Sequence, residues 1–156
     1  MITCMLETRY YMEHSFHSAL IRASYLHRVI SREEFQKLDL SEGQPKILLH
    51  LLSGNGILQK DLSHVCNVKP ATMTTLLQNM LAKNLVMKKE IRVSGGKRGY
   101  LIFLTDHGRE LAYQVIEIVD QIEEISFQGF TMQEREQLLL LLGKVSENLH
   151  QRNDTT

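Results

Sequence analysis

The sequence predicts a mainly helical fold carrying one small β-hairpin, and three observations predict it. Apolar residues recur at helical spacing along most of the 156 residues, as in Met73, Leu76, Leu77, Met80 and Leu81. Helix start and stop signals punctuate that pattern: Ser41, Gly54, Pro70, Thr105 and Thr131. One stretch alone turns strand-like, "LVMKKEIRV" and "YLIFL" around the glycine-rich basic turn "SGGKRG".

Taken in order, residues 9–35 read as one long helix. Tyr11, Phe16, Ala19, Leu20, Ala23, Leu26, Val29 and Ile30 recur on it, and no Gly or Pro interrupts. The second helix opens with Ser41 followed three residues later by Gln44, the spacing of a capping box, and ends at Gly54 and Gly56. Its Pro45 falls in the first turn, where the missing amide costs little. A short third helix covers residues 59–66, with Leu62 and Val65 predicted inward. Four residues later Pro70, a favoured first helical residue, opens the fourth helix. Its outward face collects Ala71, Thr74, Thr75, Gln78 and Ala82, all short and neutral. After the hairpin, Thr105 caps a fifth helix to about residue 127, and Thr131 caps a sixth to about residue 149.

Composition is that of an ordinary globular chain, 43% apolar and 23% charged. No apolar run reaches the length of a membrane span, and "MITCMLETRYYMEHS" lacks a signal-peptide pattern, so a cytoplasmic protein with no membrane partner is expected. Cys4 and Cys66 are too few for a disulfide framework or a multi-cysteine zinc site. No Ser/His/Asp arrangement, phosphate loop or carboxylate pair points to an enzyme.

The net charge is zero but segregated. Residues 1–58 hold six basic and six acidic side chains; residues 59–104 hold eight against two, a net of +6; residues 105–156 hold four against ten, a net of −6. The middle segment has the sign that a phosphate backbone attracts.

The outer helices carry more apolar surface than a short chain can cover. Leu111, Val115, Ile118, Ile122 and Ile125 form a short heptad seam. Leu138 to Leu142 are five consecutive leucines, apolar all round. A homodimer through the first, fifth and sixth helices is expected, a self-contained bundle of those three being the alternative. The organisation is then an N-terminal dimerisation helix (1–37), a central module (38–104) and C-terminal dimerisation helices (105–156).

Two short helices joined by a tight turn, the second with a neutral outward face, followed by a basic hairpin, describe a winged helix-turn-helix. Such a helix brings Thr, Gln and Ala within reach of base edges and thymine methyls in a major groove. Any carboxylate there repels phosphates, and residues 69–89 contain none. Pro70 and the first amides of the helix can meet a phosphate. Lys97 and Arg98 at the hairpin tip can reach a minor groove. The alternative class is a protein-interaction module whose basic wing meets an acidic surface.

The segment "LSEGQPKILLHLLSGNGILQKDLSHVCNVKPATMTTLLQNMLAKNLVMKK…KRGYLIFLTDHG" resembles the MarR family of bacterial transcription factors. "PATMTTLLQNMLAKNLV" and "LTDHG" are its most diagnostic pieces, and the flanking helices match in order and length. The resemblance implies a dimeric regulator on a pseudo-palindromic operator, usually a repressor released by a small molecule. By position, Ala71, Thr72, Thr74, Thr75 and Gln78 would face the major groove, and Arg98 would be the wing-tip arginine. Two departures stand out: Gly96 where the family commonly has an acid, and Thr75 where it commonly has Arg or Lys. Effector contacts implied between the helical and winged parts are His14, His17, Tyr25 and His50. Chelation by His14 and His17 with Glu13 or His107 lacks a tight cluster, so no metal and no cofactor are expected, and Cys66 carries no local signal of a redox or metal-sensing variant.

Overall fold

Ser15 opens the first helix of the computed structural model, which describes residues 14–92, 94–96 and 98–154. Its backbone is extended and its Oγ accepts the Ser18 amide at 3.2 Å, so α1 runs Phe16–Lys37. The uninterrupted helix predicted over residues 9–35 is thus broken at Ser15, whose side chain satisfies an amide that would otherwise seek the preceding turn; residues 9–13 lie outside the described residues. The chain divides into two compact units, Met1–Ile122 and Glu123–Thr156.

In the first unit, α2 (Gln44–Leu51) starts after Gly43, at φ 92, and not at Ser41. Only half of the predicted capping box forms: the Ser41 amide donates to Gln44 Oε1 at 2.9 Å across the turn that Gly43 closes. Glycine suits that position twice, by its left-handed φ and because a Cβ would lie 3.0 Å from Leu76. A two-residue strand, β1 (Ile57–Leu58), follows directly, then α3 (Gln59–Val65) and α4 (Pro70–Ala82). β2 (Val86–Arg92) and β3 (Arg98–Leu104) form the hairpin, and the antiparallel order is β1-β3-β2.

Ile47, Leu48, Leu62, Met73, Met80 and Ile102 are wholly buried and bring α2, α3, α4 and β3 onto one core. Two inward expectations fail at the border of this core. Val65 is 49% exposed while Cys66, one full turn after Leu62, is buried in its place; Leu81 is 37% exposed, one residue beyond the stripe that Met80 completes. The fifth helix, α5 (Asp106–Ser126), contributes Leu111, Ala112 and Val115 to the same core. Its start is tied down by Thr105, whose Oγ1 donates to the Asn84 carbonyl at 2.6 Å and accepts the Gly108 amide at 3.0 Å. A Cβ at Gly108 would lie 1.9 Å from the Leu85 carbonyl oxygen, so only glycine allows this approach.

In the second unit, Phe127 and Phe130 meet edge to face, and Arg135 lies 4.7 Å over the Phe127 ring while pairing with Glu123 at 2.6 Å. Thr131 and Glu134 complete a capping box: Glu134 Oε2 accepts the Thr131 amide at 2.8 Å, and the Glu134 amide donates to Thr131 Oγ1 at 3.3 Å. The helix so started, α6 (Met132–Asp154), buries none of its described residues, and Leu139 and Leu140 are 50% and 60% exposed. α1 likewise has no buried residue.

Candidate nucleic-acid interface

The turn between α3 and α4 is built by Asn67, one of three non-glycine residues at positive φ among the described residues. Its amide donates to the His64 carbonyl at 2.9 Å, and the Val68 amide to that of Ser63 at 2.9 Å, so the end of α3 is satisfied as the chain reverses. Lys69 then caps α4, whose first residue is Pro70. Lys60, His64, Asn67 and Lys69 edge a hollow of about 410 Å³ at this corner, lined by no carboxylate. Donors and cations of that kind suit a phosphate oxygen.

With Met73, Leu76, Leu77 and Met80 facing the core, Pro70, Ala71, Thr72, Thr74, Thr75 and Gln78 stand exposed on α4. The threonines are not free rotors. Thr74 Oγ1 donates to the Pro70 carbonyl at 3.0 Å and Thr75 Oγ1 to the Ala71 carbonyl at 3.3 Å. Gln59, which sequence reasoning missed, reaches over from α3 and donates its amide to Thr74 Oγ1 at 3.1 Å. No periodicity marks a contact fifteen residues apart; only the docked helix pair creates it.

The hairpin ends in a short 3₁₀ turn, Ser94–Gly96, with Gly95 and Gly96 at φ 78 and 73. Among the described residues, a Cβ at either glycine would meet nothing within 4 Å, so this turn stands clear of the described surface. Lys97 lies outside the described residues. Arg98 is exposed, sits opposite Arg92 in the hairpin register, and has its Nε 3.5 Å from Glu90 Oε1. An exposed pair of this kind contributes ~0–1 kcal/mol, little enough for a phosphate to displace it. It also gives Arg98 the carboxylate neighbour that Gly96 does not supply. Lys88 is held 3.7 Å over the Tyr100 ring.

A second feature of the first unit is a cavity of about 650 Å³ among α1, α2 and the start of α4. Phe35, Leu40, Leu49 and Leu76 give it an apolar bed; Arg28, Arg32 and Lys46 face one carboxylate, Glu42. Thr72 lines it too, so this residue is shared between the cavity and the exposed face of α4. None of His14, His17, Tyr25 or His50 lines it: all four are solvent-exposed, their ring-bearing positions falling on other faces of the chain. Cys66, at the cavity wall, has its thiol pushed up by burial, an effect that Lys46 only partly offsets.

No protein-family model matches the chain. Among curated proteins it is 26% identical over 120 residues, 77% of this chain and 79% of the other, to an uncharacterized HTH-type transcriptional regulator, YybA, of Bacillus subtilis. Among solved structures, a MarR protein from Peptoclostridium difficile matches with a TM-score of 0.76 and 29% identity, covering 86% of this chain and 89% of that one. A MarR-family transcriptional regulator from Listeria monocytogenes, solved in complex with a 26mer DNA, matches with a TM-score of 0.76 and 26% identity, covering 87% and 89%. The six helices and three-stranded antiparallel sheet described above are the winged helix-turn-helix architecture of these proteins.

Proposed function

We infer that this chain is a transcriptional regulator of the MarR type, a homodimer that docks α4 in the major groove of duplex DNA and lays its hairpin beside it. The observation that carries this reading is the exposed, carboxylate-free face of α4 next to a donor-lined hollow and a basic hairpin. That the Listeria relative was solved in complex with a 26mer DNA supports DNA as the partner. No helix of the described residues is long and apolar enough to cross a membrane, and the reading is of a cytoplasmic, non-enzymatic protein. The test is a gel shift with DNA from upstream of its own gene. A retarded band that Arg98→Ala weakens supports it; no band at micromolar protein and low salt sinks it.

The regulator acts as a repressor released by a small apolar anion bound in the cavity among α1, α2 and α4. An apolar bed faced by three cations and one carboxylate favours such a molecule over a neutral or cationic one. Thr72 makes the wall of the cavity part of the DNA-facing helix, so a ligand that favours one placement of α4 shifts the population away from the DNA-binding form. Small aromatic carboxylates screened by thermal shift should include one that raises the melting temperature and releases DNA. Arg32→Glu should abolish both effects and leave DNA binding intact; an unchanged response in that variant excludes this cavity.

A further inference from the structure

The polarity of α4 goes beyond the fact of DNA binding and specifies what it reads. A threonine has one hydroxyl proton. In Thr74 that proton points to the Pro70 carbonyl, because Gln59 approaches the same oxygen as a donor. In Thr75 it points to the Ala71 carbonyl. With both protons engaged, neither of these exposed side chains has a donor to offer, and each carries a γ-methyl. Ala71 adds a methyl. No Lys or Arg occurs from Pro70 to Ala82, so the fork that reads the two acceptors of guanine is missing from this helix. Lys83, next in sequence, is engaged with Asp39, its Nζ 2.8 Å from the carboxylate. Gln78, three and four residues on from Thr75 and Thr74, is exposed and carries an amide of the kind that pairs with the N6 and N7 of adenine.

We propose that α4 is a methyl reader: it recognises thymine C5-methyl groups through Thr75 and Ala71 and adenine through Gln78, and it brings no Lys or Arg fork to the guanine edge. The operator half-site is accordingly a run of A·T pairs chosen by direct contact. This inference rests on the DNA-binding reading above, and the experiment separates the two.

The wild-type protein is first used to select duplexes from a randomised pool. On the selected duplex, replacing the half-site thymines by uracil removes only the methyl groups, and affinity should fall about tenfold or more, the scale of one good base contact. Replacing guanines by 7-deazaguanine removes the N7 acceptor and should change affinity less than about twofold. Two variants of Thr75 divide its side chain. Thr75→Val keeps the methyl and loses the hydroxyl, and should stay within about threefold of wild type. Thr75→Ser keeps the hydroxyl and loses the methyl; it should lose affinity and become less sensitive to uracil. Circular dichroism of both variants establishes that α4 is folded. An enriched duplex indifferent to uracil, or a Thr75→Val that fails where Thr75→Ser binds, overturns the inference and leaves DNA binding standing. A pool with no enriched sequence overturns the DNA-binding reading and this inference with it.

Discussion

Single residues carry more of this structure than their size suggests. Thr105 joins the end of the recognition module to the start of α5 through two hydrogen bonds, to the Asn84 carbonyl and from the Gly108 amide. Thr105→Ala should cost about 0.5–2 kcal/mol, the usual range for a lost N-cap, read by urea denaturation. Gly108→Ala should cost more, since its methyl would sit 1.9 Å from the Leu85 carbonyl oxygen and the α5 backbone must move away. A Gly108→Ala protein that unfolds at the same urea concentration as wild type would contradict this close approach. Cys66 makes a pH prediction. Burial raises its thiol pKa above the ordinary 9.0, so the folded state holds the proton more tightly than the unfolded state does. The stability this contributes is complete below pH 9.0 and is lost as pH rises through the folded pKa. At neutral pH the thiol is protonated and buried, so alkylation by iodoacetamide should proceed only as fast as the protein opens. Rapid alkylation of the native protein would contradict this.

At the scale of elements, the hairpin and the two caps are the parts that decide behaviour. Arg98 is an exposed cation beside the clear-standing turn, and Arg98→Ala should weaken binding to duplex DNA by about tenfold while leaving thermal stability unchanged, because its pairing with Glu90 is exposed. Glu134 is held below its ordinary carboxylate pKa first by the Thr131 amide and then by the Thr131 hydroxyl. Its contribution to starting α6 is present above the unfolded value of 4.5 and lost as pH falls through the folded one. Thr131→Ala should move the Glu134 titration, followed by NMR, upward toward that value; an unmoved titration would remove the capping box. Much of this was legible in the sequence. The Met73–Met80 stripe, the neutral face opposite it, Thr105, Thr131 and the basic turn all announce themselves through periodicity or cap chemistry. Other features were not legible, for physical reasons. β1 is two residues long, too short for any alternation to register. Val65 and Leu81 lie at the edges of their stripes, where three- and four-residue spacings both mark one face and do not say which flank is covered. Gly43 carries the turn that Ser41 seemed to own. The Gln59–Thr74 contact and the cavity are made by segments distant in sequence, and no local pattern encodes them.

Across the whole molecule, the dominant quantities are the segregated charge and the uncovered leucines. α6 leaves Leu139, Leu140 and Leu141 at 47–60% exposure, a surface that a second copy of the chain would cover in the proposed homodimer. Leu140→Glu should convert a dimer into a monomer by light scattering while the winged module keeps its fold, and operator affinity should fall because a monomer meets one half-site. A Leu140→Glu protein that stays dimeric would place the interface elsewhere. The net of +6 in residues 59–104 sets the electrostatic scale of DNA binding. Fluorescence anisotropy of the wild-type protein on its upstream duplex, at 50 mM and 200 mM salt, tests the central claim most directly. A protein neutralising six or more phosphates should lose on the order of a thousandfold in affinity across that interval. Affinity that is undetectable at 50 mM, or unchanged at 200 mM, would mean that neither the α4 face nor the basic hairpin meets a phosphate backbone.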